Sequence, residues 1–399
     1  MDNVTHTLIG AAFARALPER FRRPEIYWAS VLANNAPDSD VIVHFLPGST
    51  DFDYLLHHRG YTHTLLAVPL LGLLSAAAAK RIARAERWTP ALVAVSLFGG
   101  MLHIGADALN NYGVHPLTPF CDRWFYGDTL FIVEPLIWFA LLPFLAREAE
   151  RPWARIAWIS LTLGMVGLVW LFPTFSSGLS AGLTMVLAVT AFSALRARTR
   201  SARVAIPLGL FAATIAAFAF AGARARSFAR EAWAAETRGA ETELDVASSP
   251  NPGNPICWNV WIGARGETEF RFRTADVSIW PSLYSATECG AFSRPARTAE
   301  ILRSDFPPTP TIRWNGEVPL PIAKFETFRA RSARFRRLLE FARFPFVREF
   351  PDGSAIAGDL RYDREEGTGF AEITIPVDEA PGAPKPSPNW EAPFLRGRP

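Results

Sequence analysis

Forty consecutive residues, Ile156 to Leu195, contain no Asp, Glu, Lys, Arg or His. A helix needs about 20 apolar residues to cross the hydrocarbon core of a bilayer, so this run is long enough for two crossings. It divides at Pro173-Thr174-Phe175-Ser176-Ser177-Gly178, a turn signal. Val204–Ala223 is another uncharged run, and shorter ones lie upstream. The expected membrane segments are Thr64–Ala79, Thr89–Ala106, Thr129–Ala146, Ile156–Phe172, Gly178–Leu195 and Val204–Ala223. Val4–Leu17 and Ile26–Ala36 read as a half-embedded helical hairpin.

Cations in the short loops set the expected orientation. Lys80, Arg81, Arg84 and Arg87 follow the first segment; Arg147, Arg151 and Arg155 follow the third; Arg196, Arg198, Arg200 and Arg203 follow the fifth. The intervening connections, Leu109–Asp128 and Pro173–Ser177, carry one Arg between them. The basic loops are therefore expected in the cytoplasm, along with the hairpin tip bearing Arg20, Arg22 and Arg23. The other connections, and everything after Ala223, are expected outside. No cationic region precedes an apolar stretch at the N-terminus, so no cleaved signal peptide is expected. A net charge of +3 without a basic, aromatic-interleaved stripe gives no support to nucleic-acid binding.

Beyond residue 223 the composition changes. Ala225–Asp245 is charged and Ala-rich and reads as a helix leaving the membrane, and Pro250–Pro255 reads as a linker. Ile256, Trp258, Val260 and Ile262 then alternate with other residues, as half-buried strands require. Phe344–Val347, Ala355–Tyr362 and Phe370–Val377 read as strands too, with a turn at Pro351-Asp352-Gly353, and Ala323–Phe341 has helical spacing. The expected fold is mainly α: a polytopic helical membrane domain (1–223), a helix and linker (224–255), a smaller soluble α+β domain (256–380) and a Pro-rich disordered tail (381–399). Of the three cysteines, Cys257 and Cys289 can pair if their domain lies outside the cytoplasm, leaving Cys121 single.

All seven histidines fall within the first 115 residues: His6, His44, His57, His58, His63, His103 and His115. Carboxylates accompany them at ligand spacing. Asp38 and Asp40 stand in Ala36-Pro37-Asp38-Ser39-Asp40, and His103 and Asp107, four apart, share one helix face. Divalent metals of borderline or hard character take such imidazole and carboxylate mixtures. On the expected topology these groups meet at one membrane face. Ionisable groups at membrane depth cost about 2.5–3.5 kcal/mol each on insertion scales, and a bound cation compensates a cluster of carboxylates directly. His6, Asp38, Asp40, His58, His63, His103 and Asp107 are the expected ligands. Asp38 and Asp40 have the alternative of capping a helix, and His58 and His63, five apart, need a break at Gly60 to converge. His57 reads as a solvated neighbour, His44 is unassigned, and His115 reads as a loop residue. Arg59 can bind a phosphate oxygen or pair with a carboxylate. Glu134 is a functional candidate whose alternative is pairing with Arg123. No HExxH, GxSxG or GxxxxGK[ST] motif is present.

Four blocks resemble the YdjM-type membrane-bound metal-dependent hydrolases: Asp2-Asn3-Val4-Thr5-His6; Ala36-Pro37-Asp38-Ser39-Asp40; His58-Arg59-Gly60-Tyr61-Thr62-His63-Thr64; and His103-x3-Asp107 running into Asn110-Asn111-Tyr112-Gly113-Val114-His115-Pro116-Leu117. The strong match covers 1–140. Asp128 and Phe131-Ile132-Val133-Glu134-Pro135 resemble a subgroup extension that more often has Asp in place of Glu134. A weaker match reaches Pro345-Phe346-Val347 and Asp359-Leu360-Arg361-Tyr362. The resemblance implies a helical metal site in the style of zinc-dependent phospholipase C and a phosphoester or lipid substrate. The expected function is thus a metal-dependent hydrolase of the inner membrane, holding one or two cations, with zinc expected. Asp40 or Asp107 would be the base, and Arg59 a catalytic candidate. Membrane lipid is the expected partner, and a lipid or lipid-linked molecule the expected substrate. The metal site and the C-terminal domain are expected on the extracytoplasmic side. The alternative is a non-catalytic protein whose cation staples its helices and whose outer domain binds a partner.

Overall fold

The computed structural model describes residues 1–45, 58–121, 123–237, 240–290, 298–302, 304–363 and 367–379; the side chains of Val43 and His44 are not among those described. The Pro-rich tail read as disordered lies outside these residues, as does His57. The chain forms two compact units.

The first unit is helical. Its helices are α1 (Asn3–Ala16), α2 (Pro24–Ala33), α3 (Val68–Ile82), α4 (Pro90–Asp107), α5 (Pro135–Glu148), α6 (Pro152–Leu171), α7 (Ser177–Arg196) and α8 (Arg200–Thr237), whose residues from Ala221 onward group with the second unit. Their starts follow ordinary capping rules. Asp2 accepts from the backbone N–H of Val4 and Thr5 ahead of α1, Thr89 caps α4 and Ser176 caps α7. Proline occupies the first helical turn of α2, α3, α4, α5 and α6, where its missing N–H costs nothing. The helices α4, α6, α7 and α8 are long and apolar enough to cross a membrane. The segments expected at Thr64–Ala79 and Thr129–Ala146 yield α3 and α5, of 15 and 14 residues. At 1.5 Å per residue these are too short to span about 30 Å alone. The outer faces of α6 and α7 are apolar and exposed, as at Ile156, Leu163, Met185 and Phe192.

Two glycines set the packing around α2. On Gly10 of α1 a Cβ would lie 2.8 Å from the Ser30 carbonyl oxygen, and on Gly99 of α4 a Cβ would lie 2.8 Å from the Ala33 Cβ. Only a bare α-carbon permits both approaches, so α1 and α4 close on the same stretch of α2. The Ser30 hydroxyl donates to the Gly10 carbonyl at 2.7 Å across one of these contacts.

The second unit contains a four-stranded sheet in the order β1 (Thr242–Asn251), β2 (Asn254–Arg265), β3 (Glu269–Ser278), β4 (Ile312–Pro321), and a three-stranded sheet of β5 (Pro345–Glu349), β6 (Ala355–Asp359) and β7 (Glu372–Ile375). Neighbouring strands β2–β3, β3–β4, β5–β6 and β6–β7 run antiparallel. In β4, Ile312, Trp314, Gly316, Val318 and Leu320 are buried while the residues between them are not, the period-two pattern of a strand with one covered face. Phenylalanines 270, 272, 325, 328, 335, 344 and 346 build the core. Arg343 crosses it buried, donating to both carboxylate oxygens of Asp245 at 2.7 and 3.0 Å.

Two boundaries differ from expectation. The helix read through Asp245 stops at Thr237, and Thr242–Asn251 is a strand. The supposed linker holds only the turn at Pro252-Gly253, with Gly253 at φ +67°, a conformation natural to glycine. The stretch 323–341 is two short helices, α10 (Ile322–Arg331) and α11 (Ala333–Leu338). Ser332 separates them and caps the second through Phe335 N–H. Cys257 of β2 is bonded to Cys289, at the end of α9 (Ala286–Cys289), and Cys121 is free.

Candidate metal centre

Asp38, His63, His103 and Asp107 meet in the first unit, all buried. They arrive from separate elements. Asp38 lies in a 3₁₀ stretch, Pro37–Phe45, after α2; His63 ends another, Tyr61–His63, ahead of α3; His103 and Asp107 occupy the last turns of α4. Nε2 of His63 lies 3.0 Å from Nε2 of His103, 3.3 Å from Asp38 Oδ1 and 3.4 Å from Asp107 Oδ2. His103 Nε2 lies 3.5 Å from Asp38 Oδ1 and 3.4 Å from Asp107 Oδ2. Tetrahedral coordination with bonds of 2.0–2.1 Å places donor atoms about 3.3–3.4 Å apart. Five edges of this four-atom figure are close to that value.

Both imidazoles are oriented from behind. His103 Nδ1–H donates to the Asn34 carbonyl at 2.7 Å, which leaves Nε2 as the lone-pair atom. His63 Nδ1 faces Asp40 Oδ2 at 3.3 Å and Thr62 Oγ1 at 3.1 Å. Asp40 Oδ2 accepts from Arg59 N–H at 2.9 Å and from the Thr62 hydroxyl at 3.2 Å. Asp40 thus stands behind His63, the position of an orienting carboxylate. Burial opposes charge on both His63 and Asp38. The three neighbouring carboxylates, Asp107, Asp38 and Asp40, nevertheless raise the His63 pKa to about 10, and the imidazoles of His103 and His63 beside it hold Asp38 well below the usual carboxylate range.

His6 is buried too. Its ring stacks on His103 with centroids 3.7 Å apart, and Nε2 lies 3.2 Å from Asp107 Oδ1. It stands beside the four-atom group. Gly10 lies one helical turn after His6 and Gly99 one turn before His103, so the close helix contacts described above bring these rings together. The Arg59 guanidinium is committed locally. Nε pairs with Asp107 Oδ2 at 3.0 Å, Nη1 donates to Asn110 Oδ1 at 2.8 Å and to the Gly113 carbonyl at 3.2 Å, and the group lies over the Tyr112 ring. The amino group of Met1 also meets Asp107. The break expected at Gly60 falls one residue earlier, since Arg59 has φ +60°. His58 is half-buried and groups with the second unit. His115 stacks on Trp124 in the loop after α4. Glu134, fully buried, caps α5 by accepting from Leu136 N–H at 3.1 Å, and also accepts from Gly253 N–H at 3.2 Å, in place of the Arg123 pairing considered above.

The donor set fits a divalent cation. Among the described residues, Asp38 Oδ2 and His6 Nδ1 are buried without a hydrogen-bond partner, a costly state for polar atoms unless charge nearby compensates it. Sequence reasoning missed Asn34, whose carbonyl orients His103, and the two glycines. Asn110, within a recognised block, proves to be the hub of the Arg59 turn. The helices and loops that carry this cluster coincide with a known family region: residues 1–175 match the model described as YdjM inner membrane protein. Over these residues the chain is similar to that family. No curated protein and no solved structure matches the chain. With the family region and four candidate spans, this is a multi-pass inner membrane protein with a buried His/Asp cluster able to hold a metal ion. The cluster draws on three of the four blocks singled out in the sequence, and the first block supplies His6 beside it.

Proposed function

We propose that the chain is a membrane-embedded metal-dependent hydrolase acting on an ester or phosphoester of a lipid or lipid-linked substrate. The near-tetrahedral spacing of Asp38 Oδ1, His63 Nε2, His103 Nε2 and Asp107 Oδ2 carries the reading. Two imidazoles with two carboxylates suit zinc. A cation held there would polarise a scissile ester and lower the pKa of water toward about 7. The chain's own groups divide the remaining work. Asp40 and the Asn34 carbonyl orient the imidazoles, and Arg59 holds Asp107 and the loop after it. Asp38 is the most accessible of the four at 9% exposure, so it marks the side from which water and substrate would reach the cation. His58 remains a candidate ligand from outside this group.

The alternative, a cation that staples the helices without catalysis, is favoured by one observation: four protein donor atoms lie within 4.8 Å of one another, the number that closed structural sites use. Metal analysis of detergent-purified protein, paired with phosphodiester and phospholipid hydrolysis assays on wild type and His103→Ala, separates the two. Bound metal with turnover that His103→Ala abolishes supports the hydrolase. Metal without turnover across a broad ester panel supports the staple, and absence of metal from the wild type sinks both.

The extracytoplasmic placement of the cluster and the second unit rests on the loop cations and on the Cys257–Cys289 bond, since disulfides persist in oxidising compartments. Reporter fusions at residues 85 and 240 test it; the same side for both refutes it.

A further inference from the structure

At the other end of the same helices lies a cleft of about 880 Å³. The metal cluster sits by the start of α1, the end of α2 and the start of α3. The cleft opens by the end of α1, the start of α2, the end of α3 and the start of α6, and runs along α1 as far as Thr7. From His6 to Arg15 the axial rise is about 13 Å. Its mouth carries cations and its walls are aromatic and aliphatic.

We propose that this cleft binds an anionic phospholipid, the headgroup phosphate on Arg23, Arg84 and Arg151 and an acyl chain along Trp28, Trp158 and Leu161. Of the arginines at the mouth, Arg15 and Arg22 are already paired, with Glu150 and with Glu148. Among the described residues no carboxylate pairs with Arg84 or Arg151, and Arg23 reaches Glu25 only at 4.0 Å. Arg84 and Arg151 therefore face the cleft with no acidic partner among the described residues, and Arg23 with only this long pairing. Basic pockets between membrane helices are suited to anionic headgroups, and guanidinium matches phosphate geometry.

Arg84 adds a separate argument. α3 ends in a full Schellman motif, with Ala85 N–H donating to the Lys80 carbonyl at 2.9 Å and Arg84 N–H to that of Arg81 at 3.3 Å. The residue between, normally glycine, adopts φ +53° and is Arg84. A side chain there is less favourable than none, and this one delivers a guanidinium to the cleft. Trp153, 60% exposed at the rim, is the residue type that settles at headgroup depth.

The test uses the full chain in mild detergent, with native mass spectrometry after addition of phosphatidylglycerol, phosphatidylcholine or inorganic phosphate. The wild type is expected to retain phosphatidylglycerol in preference to phosphatidylcholine. Arg84→Gln with Arg151→Gln is expected to weaken that retention about thirtyfold, from two cations at a membrane surface. Arg81→Gln with Arg87→Gln, outside the cleft at the same end, is expected to retain it. Equal retention of the two lipids by the wild type, equal loss in both double variants, or phosphate competing as well as the lipid overturns the proposal.

Discussion

His63 and His103 aim Nε2 at Nε2 across 3.0 Å, from elements forty residues apart. With the Nδ1–H of His103 already given to Asn34, the two lone-pair positions converge on one point. Replacing His103 by Ala is expected to abolish stoichiometric metal retention, whereas Asp40→Asn, which only loosens His63 from behind, is expected to weaken affinity about 10–100-fold. Elemental analysis of the purified variants reads both. Full retention in His103→Ala contradicts the assignment.

Helix spacing is expected to matter as much as ligand identity. Gly10→Ala and Gly99→Ala each place a methyl 2.8 Å from α2, and overpacking of this kind costs about 1–3 kcal/mol. Both should lower thermal stability in detergent and lower metal content. Gly105→Ala, on α4 with nothing within 4 Å of its added carbon, should leave both unchanged.

Cation uptake should depend on pH. Burial opposes the proton on His63, but its carboxylate neighbours prevail and raise its pKa to about 10. Below that value the empty cluster holds a proton that a cation must displace, so affinity should rise with pH, by about tenfold per unit for one proton released. Titrations at pH 6, 7 and 8 measure the slope, and a flat profile would rule out His63 as a ligand. Chelation at neutral pH should correspondingly lower the melting temperature, since removal of a ligand bound to the folded state destabilises it.

In the second unit, Cys257 and Cys289 close a loop with a sequence separation of 32. The chain-entropy relation gives about 3–4 kcal/mol for such a loop. Replacing both by Ser should destabilise this unit by that order, with little effect on metal content. Equal unfolding of oxidised and reduced protein would contradict it.

Much of this architecture is legible in the residues themselves. Uncharged runs dictate membrane helices, and a His and an Asp four apart on one of them must share a face. The Pro37-Asp38-Ser39-Asp40 box was readable as a site, but which carboxylate faces the imidazoles depends on how a 3₁₀ stretch turns. The left-handed turn at Arg59 rather than Gly60 has no local signal; it is held by contacts to Asp40, Asp107 and Asn110. The strand Thr242–Asn251 was hidden because the preceding Ala- and charge-rich pattern continues past the true helix end, and pairing with β2 decides the matter. Gly10 and Gly99 look like ordinary small residues until α2 is placed against them.

The four candidate ligands span positions 38 to 107, with the last two at the far end of α4. The pocket therefore has no complete form while the chain is being made until α4 has been delivered to the bilayer. Metal loading is then a late event in biogenesis, and a ribosome stalled before Asp107 would leave a chain with histidines in the membrane and nothing to hold.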